Sequence, residues 1–454
     1  MKLDRRRFLG GAAAAALAGG SIYELVDKLG GGTPARTVVR NLPPEQHVFD
    51  LLSTTSEGVE VMIPPLHSEV ITAQLQDVDL LKARGELEDV LLQLDDAYDP
   101  SPSGLGVTVA WGLPYFARVR TAADAHLPFD TRANKAVLLP NRRFPSDPEE
   151  TILEDNDVAF LLRSDDADHI DEARKLLFGL SFLHITSVRH GFAGGGFDGK
   201  QSLPKKLAMA AGVPGADLIP NDAELFLGFT STQKAGLGPR LIANHETLGF
   251  VDLRGGYFHG GTHMHLSHIN EDLEAWYLNF DFGERVLTAF TPGQKARNNQ
   301  QTVPQGPKDV QDVAQVSAAY AKTGRIGHSA AIQTTSRLQA DVTGPDGTVY
   351  PKGTAIPQRA DFNTLDNPFT FSANQARDKW SADPSAGVHF VVFNPSGDDF
   401  ERNRLAMDGG LPGKKLGLEP RSRAQGFNSV LTTTHRQNFL VPPRRHRSFP
   451  LAEL

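Results

Sequence analysis

Apolar runs of strand length recur along the chain, and three of them lead straight into helical spacing. Asp157–Ser164 (Asp-Val-Ala-Phe-Leu-Leu-Arg-Ser) is one such run. After it, Ala167, Ile170, Ala173, Leu176, Leu177 and Leu180 fall at three- and four-residue steps, which puts them on one face of an amphipathic helix. Asp165 or Asp166 is placed to cap that helix, because a short carboxylate can accept from the free N–H groups of a first turn. The order returns with Gly260–Ile269 as strand and Asp272–Phe290 as helix, carrying Leu273, Trp276, Tyr277 and Phe280. It returns again with Gly387–Asn394 as strand and Asp399–Met407 as helix. Leu80–Leu94 has helical spacing, Gly104–Leu113 reads as a buried strand ending at Pro114, and His184–Arg189 reads as a return strand. Thr121–Glu150 is a long polar connection. Strand–helix units with returning strands predict an α+β chain built from ferredoxin-like units, and the length suits two of them.

The 454 residues carry a formal net charge of −8 and no basic stripe with interleaved aromatics, which argues against a nucleic-acid binder. There is no cysteine, so disulfides, zinc–thiolate sites, iron–sulfur clusters and thiolate-ligated or covalently attached haem are excluded. The amino terminus reads Arg5-Arg6-Arg7-Phe8-Leu9 and runs into a Gly/Ala-rich stretch from Gly10 to Gly20. That is the pattern of a twin-arginine signal, followed by a linker to about residue 40. The expected division is 1–40 signal and linker, 41–245 first ferredoxin-like domain and 246–454 second.

Candidate chemistry centres on Arg325–Asn363. His328 follows a glycine, and a neutral imidazole can ligate a metal or haem iron. Arg359, always charged, can polarise a bound oxygen species. A second cluster, His259, His263, His265 and His268, stands on the predicted strand 260–269; parity puts His263 and His265 on one face with His259 and leaves His268 on the other. Paired imidazoles of that kind can bind zinc or copper when a third ligand is at hand. Gly194–Lys200 has phosphate-loop spacing, but Gln201 stands where the Ser or Thr belongs, so it reads as a loop. No nucleophile elbow or His-Glu-x-x-His motif occurs.

Several of these stretches, in order, resemble the dye-decolorizing (DyP-type) haem peroxidase family: Asp222–Gly228, Gly260-Gly261-Thr262, Asp272–Trp276, Gly327-His328, Arg359–Asn363, Gly387–Phe393 and Phe439–Pro443. The resemblance covers about 100–454 and implies two ferredoxin-like domains with b-type haem between them. It implies His328 as the axial ligand and Arg359 as the arginine over the peroxide face. One departure stands out. The family's Gly-Phe-x-Asp-Gly would fall at Gly228–Thr232, and Ser231 occupies the aspartate position. A hydroxyl can hydrogen-bond but is a poor general base near neutral pH. Asp252 and Asp198, each in a similar string, fit the spacing less well.

The expectation is therefore an exported peroxidase-like protein with haem b, His328 as iron ligand, and Arg359 and Ser231 at the reacting face. Its partners would be hydrogen peroxide, a small organic reductant and the twin-arginine export machinery, and a homo-oligomer is compatible with the sequence. Its destination would be the periplasm, the cell envelope or the exterior. Two alternatives stand beside it: a non-enzymatic haem-binding protein with a degenerate peroxide face, and a divalent-metal protein built on the His259–His268 cluster.

Overall fold

The computed structural model describes residues 44–47, 52–56, 59–194, 202–221, 223, 225–228, 256–289, 311–343, 349–365 and 384–454. The signal region, Asp198, Ser231, the boundary near 245, Asp252 and Trp380 lie outside the described residues.

The first half runs β1 (His67–Leu75), α1 (Leu80–Ala97), β2 (Gly106–Trp111), β3 (Val158–Ser164), α2 (Ala167–Phe178) and β4 (Leu183–Phe192). Strand β1 pairs antiparallel with β3 on one side and β4 on the other, and β2 pairs with β3, giving the order β4-β1-β3-β2. Every position of β3 is buried, which is why its sequence is a continuous apolar run rather than an alternation. Asp79 caps α1 by accepting from Leu81 N and Lys82 N, and Asp166 caps α2 by accepting from Asp168 N. The buried stripes of these helices, Ala83, Leu87, Leu91 and Leu94 on α1 and Ile170, Ala173 and Leu177 on α2, join the main apolar core.

The second half repeats the scheme with β5 (Thr262–Glu271), α3 (Leu273–Leu278), α4 (His328–Ser336), β6 (Gln358–Arg359), β7 (Phe362–Thr364), β8 (Gly387–Asn394), α5 (Gly397–Met407) and β9 (Leu431–Val441). Strand β5 lies between β8 and β9, while β6 and β7 pair with the far edge of β8. The order β7-β8-β5-β9 matches that of the first half. The α+β architecture of two ferredoxin-like units is as expected.

The two sheets meet along two antiparallel seams, each a single residue pair, and β9 also pairs in parallel with Ile152–Leu153 of the first half. Asn363 of β7 stands opposite Phe192 of β4, and Leu440 of β9 stands opposite Trp111 of β2. Both seams are tight. A Cβ on Gly191 would collide with the Phe362 ring and the Asn363 carbonyl, and one on Gly112 would collide with the Gln437 amide of β9 as well as with the Asn156 carbonyl of its own half. The enclosed space is filled by an apolar cluster that includes Val70, Leu161, Met264, Leu266, Phe393 and Phe439.

Two expectations from periodicity need correction. The helix predicted over Asp272–Phe290 is two helices, α3 and Phe282–Ala289. The break falls where Asp281 Oδ1 accepts from Glu284 N at 2.8 Å and so starts a new first turn. The polar connection after Thr121 also carries helical structure, in Arg120–His126.

Candidate active site

One face of the second sheet and the two helices above it enclose a cavity of about 1550 Å³, counted out to its mouth. The sheet supplies alternate residues, as pleating requires: Ser267, Ile269 and Glu271 from β5, and Val388, Phe390, Val392 and Asn394 from β8. Helix α4 contributes His328, Ile332 and Ser336, one residue per turn. Helix α5 contributes Phe400, Asn403, Arg404 and Met407, an i, i+3, i+4, i+7 stripe. Leu225 and Leu227 line it as well. Their segment is anchored by α3, where Trp276 Nε1 donates to Leu227 O at 2.8 Å and Tyr277 OH donates to Phe226 O at 2.7 Å.

His328 opens α4 directly after the N-cap Gly327. Its ring lies 4.7 Å from that of Phe427, and its buried Nδ1 has no hydrogen-bond partner. Burial first, then the guanidinium charges of Arg359 and Arg404, lower its pKa to about 3. The imidazole is therefore neutral near pH 7, with a lone pair to offer.

Arg359 reaches the same cavity from β6, where it stands opposite Val392. Asp361 holds it in a fork: Nε donates to Oδ1 at 2.9 Å and Nη2 to Oδ2 at 2.6 Å. Arg404 is tied to Asp147 and Asp408, and Arg436 to Asp147. The cavity's cations are thus fixed in place by carboxylates behind them.

Glu271 is the unexpected member. It ends β5 and lines the cavity, 8% exposed, with Oε2 buried and unpartnered. Burial, with the Asp361 carboxylate adding to it, raises its pKa to about 8.

Of the expected site residues, His328 and Arg359 come together in one cavity; Ser231 lies outside the described residues. The histidine cluster is dispersed. His259 is exposed on the turn before β5, whereas His263 and His265 are buried. His265 Nδ1 lies 2.7 Å from Asn438 Oδ1, so it carries the proton, and Nε2 then accepts from Ser267 Oγ at 2.6 Å. His268 points to the other face, as parity predicts, beside His389 and His435. Among the described residues no three His, Asp or Glu side chains are grouped to hold a metal ion.

The family model for a family of unknown function, DUF7405, matches residues 65–443. The chain belongs to that family. No curated protein matches it. Among solved structures, the encapsulated DyP-type peroxidase from Mycobacterium smegmatis aligns with 85% of this chain and 95% of its own at 15% identity and a TM-score of 0.50. A variant of DypB from Rhodococcus jostii in complex with heme aligns with 85% of this chain and 96% of its own at 16% identity and a TM-score of 0.49. The DUF7405 chain thus has the fold of the DyP-type peroxidases, and at these identities the likeness extends to fold alone.

Sequence reasoning missed Glu271, Asp361 and Arg404. Glu271 stands beside Asp272, where an acid reads as part of a helix cap. Asp361 lay inside the Arg359–Asn363 segment, but its grip on Arg359 depends on the turn between β6 and β7.

Proposed function

We propose that this DUF7405 protein is a divergent DyP-type haem protein that reduces hydrogen peroxide at the expense of a small organic reductant. The observation that carries the proposal is the convergence of His328 and Arg359 in one large cavity, with the imidazole on the helical wall and the guanidinium on the sheet wall. The residues fit the group: a neutral imidazole with no partner at Nδ1 among the described residues, apolar side chains on both walls that would suit a flat macrocycle, and arginines in the lining that could meet its carboxylates. Haem b, when bound, would supply the electrons for breaking the O–O bond.

The protein's own part is placement and charge. His328 would hold the group through its neutral imidazole. Arg359, kept in position by Asp361, presents a positive charge to an oxygen ligand, and its fork geometry limits where that ligand sits. Phe390, Val392 and Phe427 line the cavity and would exclude water around a bound group, which would strengthen the charge interactions inside. The twin-arginine-like terminus supports export of the folded, loaded protein to the periplasm, the cell envelope or the exterior.

The test is an absorption spectrum with a pyridine haemochrome assay on protein expressed with haem supply. Near-stoichiometric haem b and a Soret band, both lost in His328→Ala, are expected; a variant that keeps the wild-type spectrum refutes His328 as ligand. The absence of haem after reconstitution refutes the cofactor. Steady-state peroxide turnover separates the enzyme from a haem-binding protein that lost it, a second reading favoured by Ser231 and by the engagement of Arg359 with Asp361.

A further inference from the structure

We propose that Glu271 is the residue that delivers protons to a ligand bound in this cavity. The proposal rests on the cavity being a haem and peroxide site, but the side chain's own state can be read without haem. Three features of the geometry carry it. Glu271 ends β5 on the sheet wall and lines the same cavity as Arg359 of that wall and His328 of the helical wall. Its Oε2 is buried and has no hydrogen-bond partner among the described residues, which leaves that oxygen open to a group bound in the cavity. Its backbone is fixed: the N–H donates to Ala386 O at 2.9 Å and the residue stands opposite Leu431 in the β5–β9 ladder.

The charged neighbours explain why the proton stays. Asp361 lies close enough to raise the carboxyl, and it holds Arg359 in its own fork. Among the other cavity groups, His328 on α4 is neutral, and Arg404 on α5 and Arg436 on β9 are engaged with Asp147. Tyr277 on α3 is pushed to a higher pKa by burial and stays neutral. A carboxylic acid that stays protonated near pH 7 can act as an acid where Ser231 cannot. In peroxide cleavage Glu271 would give its proton to the oxygen that leaves as water. It would be reprotonated by the proton that the other oxygen gives up. The two electrons for breaking the O–O bond come from the haem.

The experiment has two arms. In the first, the full-length protein without haem is titrated by infrared difference spectroscopy, wild type against Glu271→Gln and Glu271→Asp. A protonated-carboxyl band present at pH 7, lost as the pH passes about 8 and absent from Glu271→Gln supports the proposal. A band that is absent at pH 7, or unchanged in Glu271→Gln, overturns it. In the second, haem-loaded wild type and Glu271→Gln are mixed with peroxide under single-turnover conditions. A loss of about 100-fold or more in Glu271→Gln with an unaltered Soret band and haem affinity, and partial recovery in Glu271→Asp, is expected. Equal rates overturn the proposal. If the wild type takes up no haem, the function proposed above fails while the infrared arm still decides the state of Glu271.

Discussion

Replacing Glu271 by Gln should make the protein more stable, and increasingly so as the pH rises. The wild-type carboxyl is displaced from 4.5 to about 8. At about 1.36 kcal/mol per pH unit this is of order 5 kcal/mol of native-state penalty. The sign follows from proton counting. Below about pH 4.5 the group is protonated in both the folded and unfolded chain, and the penalty is absent. Between 4.5 and 8 the unfolded chain gives up the proton while the folded one keeps it, so stability falls as the pH rises. Above 8 both are ionised and the full penalty persists. Glutamine has the same shape and no charge to bury, so the variant should match the wild type at pH 4.5 and exceed it by several kcal/mol at pH 9. Urea unfolding midpoints of the two proteins, measured across that range in parallel, test this. Curves that stay parallel would show that Glu271 is not a native-state acid with a raised pKa, and the linkage reasoning would fail.

Trp111 is fully buried, its ring lies in tilted contact 4.2 Å from that of Tyr115 and 4.9 Å from that of Phe449, and Nε1 donates to Arg447 O at 2.8 Å. Trp111→Ala should cost about 3–5 kcal/mol in chemical unfolding, and a cost below 1 kcal/mol would contradict that packing. Arg189 is fully buried, and its Nη2 meets both carboxylate oxygens of Glu154 at 2.6 Å. Glu154→Ala removes that carboxylate and should lower stability by about 3–5 kcal/mol; an unchanged urea midpoint would refute the assignment. Because His265 spends both ring nitrogens on Asn438 and Ser267, tag-free protein should show the same zinc and copper content in wild type and His265→Ala. A loss of bound metal in the variant would overturn the geometry drawn for the cluster.

The strands and helices were legible where burial is simple. Gly387–Asn394 is buried on both faces, so its apolar run marks the strand at both ends. The two-helix break after α3 was not legible, because Phe280 continues the apolar spacing while Asp281 opens a second helix by accepting from Glu284 N. His328 and Arg359 were singled out through the family resemblance, and the structure puts both in the lining of one cavity. Glu271 was not: its character comes from burial and from Asp361, ninety residues onward and two strands away. The histidine cluster misled for a related reason. Strand parity placed His263 and His265 together correctly, but it could not reveal that Asn438 and Ser267 already occupy one of them.

The two seams carry one consequence of their own. Each joins the halves through a single residue pair, with the parallel pairing of Ile152–Leu153 to β9 as a further link, so at the seams themselves closeness of approach counts for more than length of ladder. Gly191 and Gly112 are where that closeness is kept. A methyl group at Gly191 would act as a wedge against Phe362 and Asn363 of the other half, and one at Gly112 would press on Gln437 of β9. Drift in sequence can therefore be generous within each half, but at these two glycines it meets a hinge-pin that admits no thickening.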